Sequence, residues 1–249
     1  MNHVVAQLHF QPCEPLPAHL TSSDSRASRY LVLERVTPCL RHHLVGQLHP
    51  ISLITSVLAQ QVANDPAGVP GMPQKLKDIC DLLGAATTSV GDATKWLRPD
   101  QEELVALSAC VHECVELLNG SFNFRGYALF NAIGDIDMPV HRDAVRICLV
   151  TALLAATDAA ISDTARIVIR AAVTLPHALV LTIAVEASDQ EKVAVGHDDG
   201  GDVVSWLDCE IIASTHGVAA STFHNDVSLS FAAGGLPGHP VQQQRPALG

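Results

Sequence analysis

Eight residues, Asn64-Asp65-Pro66-Ala67-Gly68-Val69-Pro70-Gly71, constrain this chain most, because two long apolar-periodic runs meet there. Their prolines and glycines do not continue a helix, so the stretch is predicted to be a turn. Ahead of it, Leu40, Leu44, Leu48, Ile51, Ile54 and Leu58 recur at three- and four-residue steps. That spacing predicts one face of a helix. The helix should begin near Arg29, kink or restart at Pro38, and run to about Ala63. Behind the turn, Leu76, Ile79, Leu83, Ala86, Val90 and Leu97 form a heptad seam, closed by Arg98-Pro99. Two helices joined by a short turn make an antiparallel hairpin. A hairpin with one strong seam tends to pair with a second copy, so a homodimeric four-helix bundle is predicted. Packing of the seam onto the rest of the same chain is the alternative.

Beyond residue 98 the pattern changes. Glu102–Leu118, Arg142–Ala160 and Val203–Thr215 read as helices. Arg125–Asn131, Ala165–Val173, Leu179–Glu186 and Val227–Ala232 read as strands. This order predicts an α+β chain whose second half is a mixed sheet covered by helices on one side. The expected divisions are an irregular tail at 1–28, the hairpin at 29–98, the α/β sandwich at 99–233, and a Gly-, Pro- and Gln-rich tail at 234–249.

Charge and composition exclude several roles. The net charge is −11 over 249 residues, which leaves no basic surface to replace phosphate counterions on nucleic acid. No apolar run reaches the roughly 18–20 residues that span a bilayer. The first twenty residues lack the basic start and apolar core of a signal peptide. Seven cysteines are scattered through apolar segments, which fits buried thiols in a reducing cytoplasm better than a disulfide framework.

The polar side of the first helix carries Arg41-His42-His43-Leu44-Val45-Gly46-Gln47-Leu48-His49-Pro50. At about 100° per residue, His42 points roughly opposite Leu44, and His49 returns to the outer face. His43 and Gln47, four apart, lie on a flank. Spacing alone is equally that of a solvated face with incidental histidines. Cys110-Val111-His112-Glu113-Cys114 suggests a metal at first sight. On a helix, however, the two cysteines share a face from which His112 points away, so no metal site is expected.

These residues resemble those of a known family. Leu40-Arg41-His42-His43-Leu44-Val45-Gly46 with Pro50 is similar to the phospho-accepting H-box variant L-R-H-D-L-x-G of bacterial two-component histidine kinases. Val111–Leu118 and Phe124–Leu129 resemble the first helix and strand of the kinase ATPase domain. Val145–Ala160 resembles its N-box helix, and Ile183-Ala184-Val185 the strand before its D-x-G box. Ile211–Gly217 and Val227–Phe231 resemble its last helix and closing strand. The resemblance covers roughly residues 30–232 and lacks a sensor domain. It implies a helical-hairpin dimerisation and phosphotransfer domain followed by an ATPase-type sandwich.

The departures from the family define the expected activity. Its magnesium-holding asparagine falls at Ala156 here, and alanine offers magnesium no oxygen. Its adenine-reading aspartate falls at Ala187, in Glu186-Ala187-Ser188-Asp189. Gly196, Gly200 and Gly201 sit beside Asp198, Asp199 and Asp202, which repel phosphate, so they read as a turn. His43 stands where the family has an acid that serves the reaction with ATP. The resemblance therefore implies a degenerate ATPase domain, as in ChpT-like histidine phosphotransferases. No cofactor is expected on this chain, with magnesium only on a partner receiver domain. His42 is the implied phospho-acceptor, with His43 as its neighbour and possible substitute. Arg41, Val45, Gly46 and His49 are the implied receiver contacts. Two other readings remain: a non-catalytic pseudokinase adaptor, and a response-regulator phosphatase in which Gln47 orients water. An ATP-dependent kinase is not expected.

Overall fold

The computed structural model describes residues 22–64, 71–97, 103–134, 136, 138–159, 165–174, 178–187, 202–223 and 226–232. The expected turn at 65–70, Arg98-Pro99, Ser188, Asp189, Gly196, Asp198, Asp199, Gly200, Gly201, most of the 1–28 tail and the 234–249 tail lie outside these residues.

The first described elements are α1 (Ser22–Asn64) and α2 (Met72–Leu97), which pack against each other as an antiparallel hairpin. Leu58 and Ala86 are buried in the hairpin, and Lys75 Nζ donates to Gln61 Oε1 between the end of α1 and the start of α2. Then follow β1 (Leu104–Ala106), α3 (Leu107–Phe124), β2 (Tyr127–Asn131), β3 (Pro139–His141) and α4 (Arg142–Asp158). The chain continues through β4 (Ala165–Thr174), β5 (Ala178–Ala187), α5 (Trp206–Thr215), β6 (Ala219–Phe223) and β7 (Asp226–Ala232). The fold is α+β, a helical hairpin followed by an α/β sandwich.

The main sheet runs in the order β2-β4-β5-β7-β6, with β2 and β4 parallel and the other neighbours antiparallel. Alternation decides its two faces. Ile167, Ile169, Leu181, Ile183 and Leu229 point into one core with α3 and α4. Arg166, Arg170 and Glu186 stand exposed on the other face, where Arg170 pairs with Glu186 at 3.0 Å. Helix α4 is buried on nearly every side, because the first half of α1 lies over it and over α3 and α5. Val32, Val36 and Cys39 of α1 are part of this same core. The sheet, the three helices and the first half of α1 thus form three layers.

Several expectations change here. Helix α1 starts at Ser22, so the irregular tail expected to run to residue 28 is already helical over its last turns. The reason is tertiary: Ser28 Oγ donates to Asp208 Oδ1 at 2.6 Å, and Arg29 pairs with Asp143 at 3.5 Å. Pro38 does not restart the helix, which stays one element through Pro38 and Pro50. The buried Val36 and Cys39 clamp the chain on both sides of Pro38, and that burial outweighs one lost backbone hydrogen bond. The helix expected at 102–118 begins at Leu107, because Leu104–Ala106 pairs instead with Pro139–His141. The helix expected from Val203 begins at Trp206. There Ser205 and Asp208 form a reciprocal capping box that satisfies the first free N–H groups.

Helix α5 ends as sharply as it starts. Gly217 takes a positive φ of 66°, and Val218 N–H reaches back to Ala213 O at 2.9 Å. This is the left-handed ending that glycine adopts without a Cβ clash. It fixes His216, whose Nε2 lies 3.9 Å from Asp143 Oδ2. Burial depresses the His216 pKa below its ordinary 6.5; the Asp143 carboxylate opposes that shift and Arg29 adds to it. The unfolded chain therefore binds a proton at this residue more readily than the folded one. Stability is full above pH 6.5 and falls as the pH drops below that value, until the folded ring protonates too. Urea midpoints at pH 7.5 and 5.5 are expected to differ more in the native protein than in His216→Gln. Equal differences in the two proteins would remove His216 as the source.

Candidate functional site

Cys39 is the last buried residue of α1 against the α/β layers, packed beside Ser121 of α3. Burial pushes its thiol pKa up, and the Ser121 hydroxyl partly offsets this. His42 follows three residues later, about 4.5 Å further along the helix. It is therefore held roughly one turn beyond the edge of the α/β body. Arg41, His42, His43, Val45, Gly46 and His49 are all exposed, and for His42, His43 and His49 that is what the outer face and flank predict. Gly46 has nothing within 4 Å of where a Cβ would stand, so the helix backbone is open to an approaching surface.

The two adjacent histidines differ in their partners. Gln47 Nε2 lies 3.0 Å from His43 Nε2, an (i, i+4) pair along the flank. The amide N–H donates, so this nitrogen of His43 is an occupied acceptor. Gln47 Oε1 is buried without a partner among the described residues. His42 makes no side-chain hydrogen bond to any described residue, and its ring is open to solvent. The hairpin thus brings His42, His43 and Gln47 together, but ties two of them to each other and leaves the third available.

The corner where the resemblance implies magnesium is built differently. Ala156 is half-buried near the end of α4, and the side chain of Asp158, two residues on, is only 4% exposed. Arg35 of α1 reaches Asp158 Oδ1 at 3.0 Å and Arg125 reaches the same oxygen at 2.9 Å. Val204 N–H donates to Oδ2 at 3.0 Å. Arg35 also donates to Asp202 O at 3.0 Å. The carboxylate is thus saturated by protein groups, and α1 lies against the end of the helix. Composition gave no sign of this cluster, since Arg35 and Asp158 are 123 positions apart.

A second ionic cluster anchors the C-terminal end of α2. Glu113 pairs with Arg142 and Arg146, and Arg146 stacks over the Trp96 ring of α2 at 5.2 Å. Glu113 is therefore a structural anion. Its neighbour His112 points to solvent and meets Glu116 at 3.3 Å. Cys110 and Cys114 are buried together, and Cys114 is held protonated, first by its hydrogen bond with Cys110 and then by burial. Among the described residues no three His, Cys, Asp or Glu side chains converge as a metal requires.

No protein-family model and no curated protein matches the chain. Solved structures do. Similar ones include the histidine kinase AdeS of Acinetobacter baumannii, 14% identical, covering 77% of this chain and 98% of that one with a TM-score of 0.36. A histidine kinase from Burkholderia phymatum is 16% identical, covering 85% and 97% with a TM-score of 0.38. The histidine kinase domain of the Erythrobacter litoralis blue-light activated kinase EL346 is 14% identical, covering 80% and 94% with a TM-score of 0.38. No helix among the described residues is long and apolar enough to cross a membrane.

Proposed function

We propose that this protein is a histidine phosphotransferase of a two-component phosphorelay, moving phosphoryl groups between receiver domains through His42 without binding ATP. The observation that carries the reading is His42 itself: an exposed imidazole with no hydrogen bond to a described residue, on a helix clamped one turn away. A neutral imidazole nitrogen attacks the phosphorus of a receiver's aspartyl phosphate. The N–P bond forms as the P–O bond breaks, and the aspartate carboxylate leaves with the electron pair. The reverse step passes the group to a second receiver. The magnesium that balances phosphate charge belongs to the receiver. What this chain supplies is position and access, with Arg41, Val45, Gly46 and His49 as the surrounding docking surface.

Two features support a role without nucleotide. Ala156 supplies no oxygen for a metal, and the nearby Asp158 is already satisfied by Arg35, Arg125 and Val204 N–H. The phosphatase reading is weakened by Gln47, whose amide is engaged with His43. Buried reduced thiols at Cys110, Cys114, Cys148 and Cys209 suit the cytoplasm, where receivers act.

The reading includes a homodimer. Leu48 of α1 and Leu76, Leu83 and Val90 of α2 remain 48–51% exposed, although they lie on the seams that the hairpin should cover. A second hairpin would bury them as a four-helix bundle. Sedimentation is expected to give twice the 26.4 kDa chain mass, and Leu48→Glu/Leu83→Glu the chain mass alone. A monomeric native protein at tens of micromolar would end this part of the reading.

A further inference from the structure

At the far end of α1 from the hairpin turn lies a second surface that phosphotransfer does not use. A groove of about 620 Å³ opens between the first turns of α1 and helix α5. Its sides include Tyr30, 70% exposed, and Leu207, 52% exposed, one from each helix. Four carboxylates share the lining, Asp24 and Glu34 from α1 and Asp202 and Asp208 from the α5 side, and among the described residues no Lys, Arg or His does. Asp208 stays anionic. Burial pushes its pKa up, but hydrogen bonds from the Ser205 and Ser28 hydroxyls and from backbone N–H groups outweigh that and hold it below its ordinary value.

An apolar floor with an acidic rim selects its occupant by charge. At this acidic groove, unlike the apolar seam of the hairpin, a second copy of this chain is disfavoured, because it brings a surface with 26 acidic residues against 15 basic ones to a rim that is itself acidic. The chain's own longer stretches outside the described residues fit no better. Residues 1–21 contain no Lys or Arg. Residues 188–201 hold Lys192 against Asp189, Glu191, Asp198 and Asp199, and residues 233–249 hold Arg245 alone. We infer that the groove between α1 and α5 docks a basic amphipathic helix of another protein, its apolar side on Tyr30 and Leu207 and its Lys or Arg side chains on the carboxylate rim. The site is separate from His42 and stands whether or not His42 carries phosphate.

The test uses the full chain and a fluorescein-labelled synthetic helix of leucines on one face and lysines on the other, followed by anisotropy. Glu34→Gln/Asp202→Asn is expected to bind it about fivefold more weakly than the native protein, with Tyr30→Ala weakened as well. The control Asp81→Asn/Glu116→Gln removes the same charge from other exposed positions and is expected to bind like the native protein. No binding, equal binding by all variants, or equal weakening in both double variants would overturn the inference. A photo-crosslinking phenylalanine at position 30 tests the occupant directly. Crosslinks to the peptide support the inference; crosslinks within the chain or to a second copy overturn it.

Discussion

His42→Ala is expected to abolish uptake of acid-labile phosphate from phosphorylated receiver domains, a loss of about a thousandfold or more. Nothing else on that face replaces the nucleophile, since His43 shares its ring nitrogen with Gln47 and His49 lies two turns along. The measurement is a rapid-quench transfer assay with radiolabelled receivers, with His43→Ala and Gln47→Ala in parallel. Both should keep transfer within about threefold, as an exposed and a half-buried side chain away from the bond being made. Full activity in His42→Ala with loss in His43→Ala would move the acceptor by one residue. No label on any of the proteins would favour the adaptor. Label from ATP and magnesium alone would contradict the satisfied corner around Asp158.

Asp158→Asn is expected to cost about 3–5 kcal/mol of folding stability, measured by urea unfolding. The side chain is isosteric, so the loss is of charge and not of volume. Its carboxylate sits between two guanidinium groups and a backbone N–H at 2.9–3.0 Å, with 4% of the side chain exposed. Neutralising it leaves Arg35 and Arg125 facing each other across an amide. Arg125 also lies over the Tyr127 ring at 5.6 Å, and Tyr127 donates to Thr157 O at 3.1 Å, so the disturbance reaches the edge of the sheet. Amide exchange over residues 22–40 should accelerate with the loss of stability, because Arg35 ties α1 to the end of α4. A cost below about 1 kcal/mol would show that apolar burial of Val32, Val36 and Cys39 suffices to hold the layers together.

The parts of the fold that were legible in the sequence are those whose burial is periodic and long. Strand β7 and the hairpin fall in this group through the spacing of their apolar residues, and helix α4 and strands β4 and β5 through the length of their apolar runs. Strands β1, β3 and β6 were not foreseen. β1 and β3 have three residues each, too few for alternation to register, β6 reads Ala-Ala-Ser-Thr-Phe with no strong apolar alternation, and β1 pairs with a segment about 35 positions away. The first turns of α1 were hidden by polar composition, for Ser22 to Ser28 is helical because of what Asp208 and Asp143 hold. The His42 face was legible because helical phase alone sets it. The four-residue spacing put Gln47 and His43 on one flank, but not the hydrogen bond between them. The Arg35–Asp158–Arg125 cluster had no local signal, because it depends on three elements meeting.

Helix α1 serves at once as the outer layer of the α/β body and as the first half of the hairpin, without a break between the two. Its pitch therefore couples them like a threaded shaft. One residue added between Cys39 and His42 would turn the imidazole by about 100°, and a full turn is regained only every 3.6 residues or so. The number of residues between the last clamp and the histidine is thus itself a determinant of which side of the body a docking receiver meets, independent of the identity of those residues.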